Sequence, residues 1–258
     1  MMEKIYVNID NIAEFQIENS NCVMVLGYFD GVHLGHQEVL KSAKKIASKN
    51  NLKLSVLSFF PHPKSVLNEE FNNFTLEPLE NRIEKLEKLE VDTFYIVEFN
   101  ERFSKIGADA FIKDYVIGLG AKHIVCGFDY KYGYKASGNT NTLQKYKEIG
   151  IGVTVISEQK YANAKISSTI IRDCLDNGEV HQIPCYLGGY YFIKYCSVKG
   201  VLSHYKLPLA GKYKTMLEFE NDSIVSFVTI DAVKKLHFDC NVNHVEQPFK
   251  VFWLEKVG

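Results

Sequence analysis

The chain has 258 residues, of which 46% are apolar and 24% charged, the composition of a folded globular protein and not of a disordered segment. That length allows two domains or one large one. Thirty Lys and Arg against 31 Asp and Glu leave a net charge of −1, which excludes the global basic field of a nucleic-acid binder.

The N-terminal stretch MMEKIYVNIDNIAEF lacks the basic start and apolar run of a secretory signal. No later stretch approaches ~18 consecutive apolar residues. The expectation is a cytoplasmic protein with neither a membrane nor a nucleic-acid partner; the sequence leaves the oligomeric state open. CVMVLG (22–27) reads as a buried strand, and Val39, Leu40, Ala43, Ile46 and Ala47 share one face of a helix over 36–49. LSVLSFF (54–60) is a second strand, ended by Pro61 and Pro63. LENRIEKLEKLE (79–90) sets Leu79, Ile83, Leu86 and Leu89 at helical spacing, with its Glu and Lys residues mostly on a solvated face. FYIVEF (94–99), HIVCGF (123–128) and VTVIS (153–157) are further strands, with helical patterns near 107–117 and 140–149 between them. A last helix opens at Ser167 or Ser168 and stops at Gly178.

Strands that are apolar on both faces and alternate with helices describe an open parallel α/β sheet. Such sheets bind ligands outside the carboxyl ends of their strands. After about residue 184 the texture becomes aromatic and β-rich, which predicts a small antiparallel unit over 184–258 beside an α/β domain over 1–183. The six cysteines, Cys22, Cys126, Cys174, Cys185, Cys196 and Cys240, include no C-x-x-C pair and read as reduced thiols. N-x-[ST] triplets at Asn73 and Asn221 occur by chance in a chain of this length.

The most informative stretch is GYFDGVHLGH (27–36), placed where the first strand ends and the first long helix begins. Gly27, Gly31 and Gly35 let the backbone approach a ligand, and the helix start offers free N–H groups to phosphate. His33 and His36 lie three apart, so both imidazoles can face the same pocket. The P-loop lysine is missing and the glycine spacing is wrong for a dinucleotide fingerprint. A zinc site from Asp30, His33 and His36 has no further cluster to complete it. A second candidate clasp, ISSTIIR (166–172), also opens a helix; an ordinary Ser N-cap is the plain alternative there.

H-x-G-H in this setting resembles the adenylyl- and cytidylyltransferase superfamily. Taken with SFFPHP (58–63), CGFDYKYG (126–133) and ISSTIIR, the chain resembles the prokaryotic bifunctional riboflavin kinase/FMN adenylyltransferases, or FAD synthetases. The resemblance covers nearly all of the N-terminal domain. It implies a nucleotidyltransferase-type, Rossmann-like parallel sheet with helices on both faces, followed by a reduced β-barrel. It also implies transfer of AMP from ATP, with Mg²⁺, to FMN, giving FAD and pyrophosphate. In that assignment His33, His36 and Arg172 are catalytic. Gly27, Phe29, Asp30, Gly35, Ser167, Ser168 and Thr169 join Arg172 in holding the nucleotide. Phe60, Pro61, His62, Pro63, Asp129 and Tyr130 face the flavin, and no side chain ligates a metal. Tyr132, Gly133 and Asn139 belong to a polar loop that can order over substrate.

Tyr28, Ser58, Tyr130 and Tyr132 depart mildly from the family pattern. The C-terminal part departs more. LGGYYFIKYCSVKGV (187–201), LPLAGKYKTMLEF (207–219) and PFKVFWLEKVG (248–258) resemble kinase barrel strands, but only Leu202–Lys206 joins the first two. The Pro-Thr-Ala-Asn segment that serves the family's kinase is absent, so riboflavin kinase activity is expected to be lost. The alternatives are an adenylyl- or cytidylyltransferase for another phosphate substrate, and a non-catalytic flavin- or nucleotide-binding regulator.

Overall fold

A computed structural model describes residues 1–17, 21–68, 75–242 and 245–257. The Asn73 triplet lies outside the described residues. The chain divides into two compact units, Met1–Phe74 with Leu79–Glu158, and Thr75–Pro78 with Gln159–Gly258. That division falls before the Ser-Ser-Thr segment, whereas the change of texture behind the expected 183/184 border falls after it.

The first unit is built on a parallel sheet of six strands: β1 (Glu3–Val7), β2 (Cys22–Leu26), β3 (Lys53–Phe60), β4 (Thr93–Glu98), β5 (Ala121–Gly127) and, past a two-residue ladder β6 (Lys131–Tyr132) and β7 (Gly138–Asn139), β8 (Gly152–Ile156). Their order is β1-β4-β3-β2-β5-β8. All five strands expected from apolar runs are present, and β1 is an unforeseen edge strand. The helices are α1 (Ile12–Ile17), α2 (Leu34–Asn50), α3 (Pro63–Leu67), α4 (Leu79–Lys88), α5 (Glu101–Ser104), α6 (Ala108–Ala110) and α7 (Thr140–Leu143). The helix expected over 107–117 begins as α6 and continues as a π-helical turn, Phe111–Ile117.

Residues of β2 are buried in alternation on both faces. Met24 and Leu26 join Phe103, Phe111 and Tyr115 in one core, while Val23 and Val25 join Val39, Leu40, Ala43 and Leu86 in the other. Two covered faces explain why these strands are continuous apolar runs. The chain proceeds from β2 toward β3 in one direction and toward β5 in the other, so the strand order reverses at β2, the place where such sheets open a ligand crevice. No helix among the described residues is long and apolar enough to cross a membrane.

The second unit begins with a short ladder, β9 (Lys160–Tyr161) and β10 (Ala164–Lys165), then α8 (Ser168–Asn177) and α9 (Pro184–Leu187). A six-stranded antiparallel sheet follows, curled as a half-barrel: β11 (Phe192–Cys196), β12 (Gly200–Val201), β13 (Gly211–Glu218), β14 (Ser223–Ile230), β15 (Leu236–Phe238) and β16 (Phe249–Lys256), in the order β12-β11-β16-β13-β14-β15. The alternating pattern of β13 and β16 turns Tyr213 and Trp253 inward, where both are fully buried and meet edge to face at 5.4 Å.

Candidate active site

The segment after β2 is held by a tightly bent backbone. Phe29 and Val32 both adopt left-handed conformations, φ 60° and 47°, costly for side chains of their kind and typical of functional loops. A Cβ on Gly27 would lie 2.8 Å from the Phe29 ring, so glycine is what lets that ring tuck under the strand end. Phe29, Asp30 and His33 are all buried. His33 caps α2: its Nδ1 accepts the His36 backbone N–H at 3.2 Å. A neutral His33 therefore carries its proton on Nε2. Gly35 and His36 lie in the first turn of α2, and the His36 ring stacks on His33 with centroids 3.6 Å apart and planes 14° from parallel. Phe29 also meets the His36 ring edge to face, at 5.0 Å. The Nδ1 of His36 is buried without a hydrogen-bond partner. Burial first, then repulsion from His33 should it also protonate and from the Arg82 and Lys85 cations, holds the His36 imidazole well below its ordinary value of 6.5, so it is neutral at physiological pH.

Glu80, Glu84, Glu87 and Lys88 of α4 are exposed, in keeping with a mostly solvated face, but Arg82 and Lys85 turn toward the glycine loop. Arg82 is only 2% exposed and donates from Nη1 to the Tyr28 carbonyl at 2.6 Å and to Ser58 Oγ at 3.0 Å. Lys85 Nζ donates to the Gly31 carbonyl at 3.0 Å. Both cations therefore bind the glycine loop. The signal was present in the spacing: Arg82 stands three residues after Leu79 and four before Leu86, on the buried stripe of the helix.

The SFFPHP turn sits beside this loop at the end of β3. The Phe60–Pro61 peptide is cis. His62 caps α3 through Nδ1, which accepts the Lys64 N–H at 3.0 Å, and its ring meets Tyr28 at 4.1 Å. Pro63 lines an apolar cavity of about 450 Å³ together with Phe59, Phe99, Phe103, Phe111 and the loop Lys131–Ala136. Of the six residues expected to face a flavin, only Pro63 is in that lining. Phe60 and Asp129 are exposed, Pro61 and His62 form the neighbouring turn, and Tyr130 stacks on Tyr132 at 5.8 Å with its hydroxyl buried and unpartnered. Phe59, Phe99, Phe103 and Phe111 were missed because each reads as ordinary core.

The loop after β5 forms the far wall. Gly133, at φ +74° and ψ 175°, packs so closely that a Cβ would sit 2.5 Å from the Ala108 Cα, and the Tyr134 N–H donates to the Ile106 carbonyl at 2.7 Å. Asn139 is spent on a capping box with Thr142. Asp109, next to Ala108, accepts from Lys113, Lys145 and Tyr146, and these contacts hold its carboxyl well below the ordinary range.

In the second unit Ser167 caps α8, its Oγ accepting the Ile170 N–H at 3.3 Å, so the plain N-cap role is filled. Ser168 and Thr169 occupy the first turn of α8, and Arg172, one turn in, is buried. Among the described residues no group of three or more His, Cys, Asp or Glu side chains could hold a metal ion.

The FAD synthetase family model matches residues 15–170. A bifunctional riboflavin kinase/FMN adenylyltransferase of Listeria monocytogenes is 44% identical over 185 residues, which cover 71% of this chain and 57% of that protein. The Bacillus subtilis protein of the same description is 41% identical, over 71% of this chain and 58% of its own length. The chain thus spans less than two thirds of these two relatives. A Listeria monocytogenes FAD synthetase is 30% identical over 223 residues, 83% of this chain and 90% of that one. A crystal structure described as a macrolide-efflux protein of Streptococcus pneumoniae superposes with a TM-score of 0.87 at 27% identity, covering 100% of this chain and 91% of that one. The chain belongs to the FAD synthetase family.

Proposed function

We propose that this chain is an FMN adenylyltransferase, converting ATP and FMN to FAD and pyrophosphate. One observation carries the reading: the carboxyl ends of adjacent strands β2 and β3 bear, respectively, a stacked pair of the buried His33 and the half-buried His36 at the start of α2 and the wall of an aromatic cavity of about 450 Å³. A cavity of that size and lining suits a flat tricyclic ring, and unpaired helix N–H groups with imidazoles suit phosphate.

In the reaction an FMN phosphate oxygen attacks the α-phosphorus of ATP. A new P–O bond forms, the bond to the bridging oxygen breaks, and pyrophosphate leaves with the electron pair. No enzyme-bound intermediate is needed; positioning and charge stabilisation supply the rate. His33 offers Nε2–H to the transferring group. His36, neutral before the nucleotide arrives, hydrogen-bonds it and gains basicity as negative charge accumulates. Ser168, Thr169 and Arg172 take the β,γ end in this reading, and Phe59, Pro63 and Tyr132 take the flavin ring. Magnesium brought with ATP would neutralise phosphate charge, and among the described residues no group of three or more His, Cys, Asp or Glu could hold the ion on its own.

The five-residue link Leu202–Lys206 supports the further reading that riboflavin is not phosphorylated. Purified protein is to be assayed with ATP plus FMN and with ATP plus riboflavin. FAD and pyrophosphate from the first mixture and no FMN from the second are expected. No FAD from the first would refute the transferase reading, and FMN from the second would refute loss of the kinase.

A further inference from the structure

Arg82 is a buried cation whose contacts are all with neutral groups. Its Nη1 reaches the Tyr28 carbonyl and Ser58 Oγ, and Ser58 Oγ itself donates to the same carbonyl at 2.8 Å. It lies 3.5 Å from the Phe59 carbonyl, and its guanidinium carbon sits 4.5 Å from the Tyr28 ring centroid. Tyr28 belongs to the histidine loop, Ser58 and Phe59 to the end of β3, and the Tyr28 ring touches His62 of the Pro-His-Pro turn. One guanidinium therefore bridges the two ligand-facing segments. Among the described residues no carboxylate pairs with it.

A buried charge without a counter-ion costs several kcal/mol, so its retention calls for an anion that arrives with function. A strut between two loops does not by itself need a cation. Lys85, on the Gly31 carbonyl, adds a second positive group to the same loop, and both charges act on His36.

We propose that Arg82 is a positioning residue of adenylyl transfer: it locks the histidine loop to the flavin-side turn and leaves its charge to be balanced by the phosphates of the bound nucleotide. This rests on the transferase reading above.

The test compares wild type with Arg82→Gln and Arg82→Lys, each verified as folded by its melting curve. FAD formation gives kcat and both KM values. Calorimetry with α,β-methylene-ATP gives nucleotide affinity without turnover. We expect Arg82→Gln to lower kcat/KM for ATP and for FMN together by about 10–100-fold and to weaken the analogue at least about tenfold, the range for losing a charge-assisted contact. Arg82→Lys should recover part of the analogue affinity but not the FMN defect, since lysine restores charge without the fork. Wild-type kinetics and affinity in Arg82→Gln would overturn the proposal. If Arg82→Gln does not fold, Arg82→Lys decides: a two-sided loss in kcat/KM supports the proposal, and wild-type values overturn it. If wild type makes no FAD, the transferase reading fails, and the calorimetric arm alone decides whether Arg82 faces an anion.

Discussion

Both units carry a six-stranded sheet, yet they place their polar groups differently. In the antiparallel sheet of the second unit, lysines pair with acids at the surface, Lys212 with Asp239 and Lys214 with Glu255, and the inner face is filled by Tyr213 and Trp253, whose indole Nε1 alone is buried there without a partner. In the parallel sheet of the first unit, the carboxyl ends of β2 and β3 keep a buried arginine without a carboxylate and a buried imidazole nitrogen without a partner. Parallel strands deliver every β–α junction to one edge, so backbone N–H groups and side chains from several loops converge there. Antiparallel hairpins scatter their ends. The teaching is that a single unmet atom inside a sheet, such as the Trp253 indole nitrogen, marks nothing, whereas unmet polar groups that converge from several loops mark the edge that awaits a ligand.

The comparison breaks most readily at His36. His36→Ala is expected to lower kcat about 10²–10³-fold, the usual loss for one preorganised hydrogen-bonding group, with the far-ultraviolet dichroism unchanged. Wild-type turnover in that variant would make the parallel-sheet edge no more functional than the antiparallel sheet.

Gly133→Ala comes next. Its backbone occupies a region nearly reserved for glycine, and the added Cβ would strike Ala108. A loss of roughly 1–3 kcal/mol in stability is expected, together with a raised KM for FMN and little change in KM for ATP. An unchanged FMN KM would detach the loop from the cavity.

A smaller effect concerns pH. The folded His36 titrates well below 6.5, so between that value and 6.5 the unfolded chain binds a proton that the folded chain refuses. Stability from this group is therefore complete above about pH 6.5 and falls as pH drops, by at most about 1.4 kcal/mol per pH unit. Replacing His36 with Asn should flatten the fall between pH 6.5 and 5 in urea melts. Parallel curves for the two proteins would contradict the neutral imidazole with its buried Nδ1. The smallest effect belongs to the second unit: Asp239→Asn, at a half-exposed ion pair, should cost under about 1 kcal/mol and nothing measurable in 1 M salt.

The parallel core was legible because strands covered on both faces are uninterrupted apolar runs, as Cys22–Leu26 shows with all five residues buried. The edge strand β1 was not, since Glu3–Val7 has one buried residue and no repeat to read. The histidine loop and the Ser-Ser-Thr helix start were legible from glycine placement and capping chemistry, both local properties. The cavity was not: Phe59, Phe99, Phe103 and Phe111 come from four separate segments, and nothing local distinguishes an aromatic that lines a cavity from one that fills a core. Arg82 was hidden among the Glu and Lys of α4, although its phase with Leu79 and Leu86 pointed inward.

The central claim, adenylyl transfer at the edge built on β2 and β3, is tested most directly by following the α-phosphorus of ATP. Incubation with FMN and ATP labelled at the α-phosphate should move the label into FAD, with one pyrophosphate released for each FAD formed. Label that stays in ATP, or is released as AMP without FAD, would contradict the account.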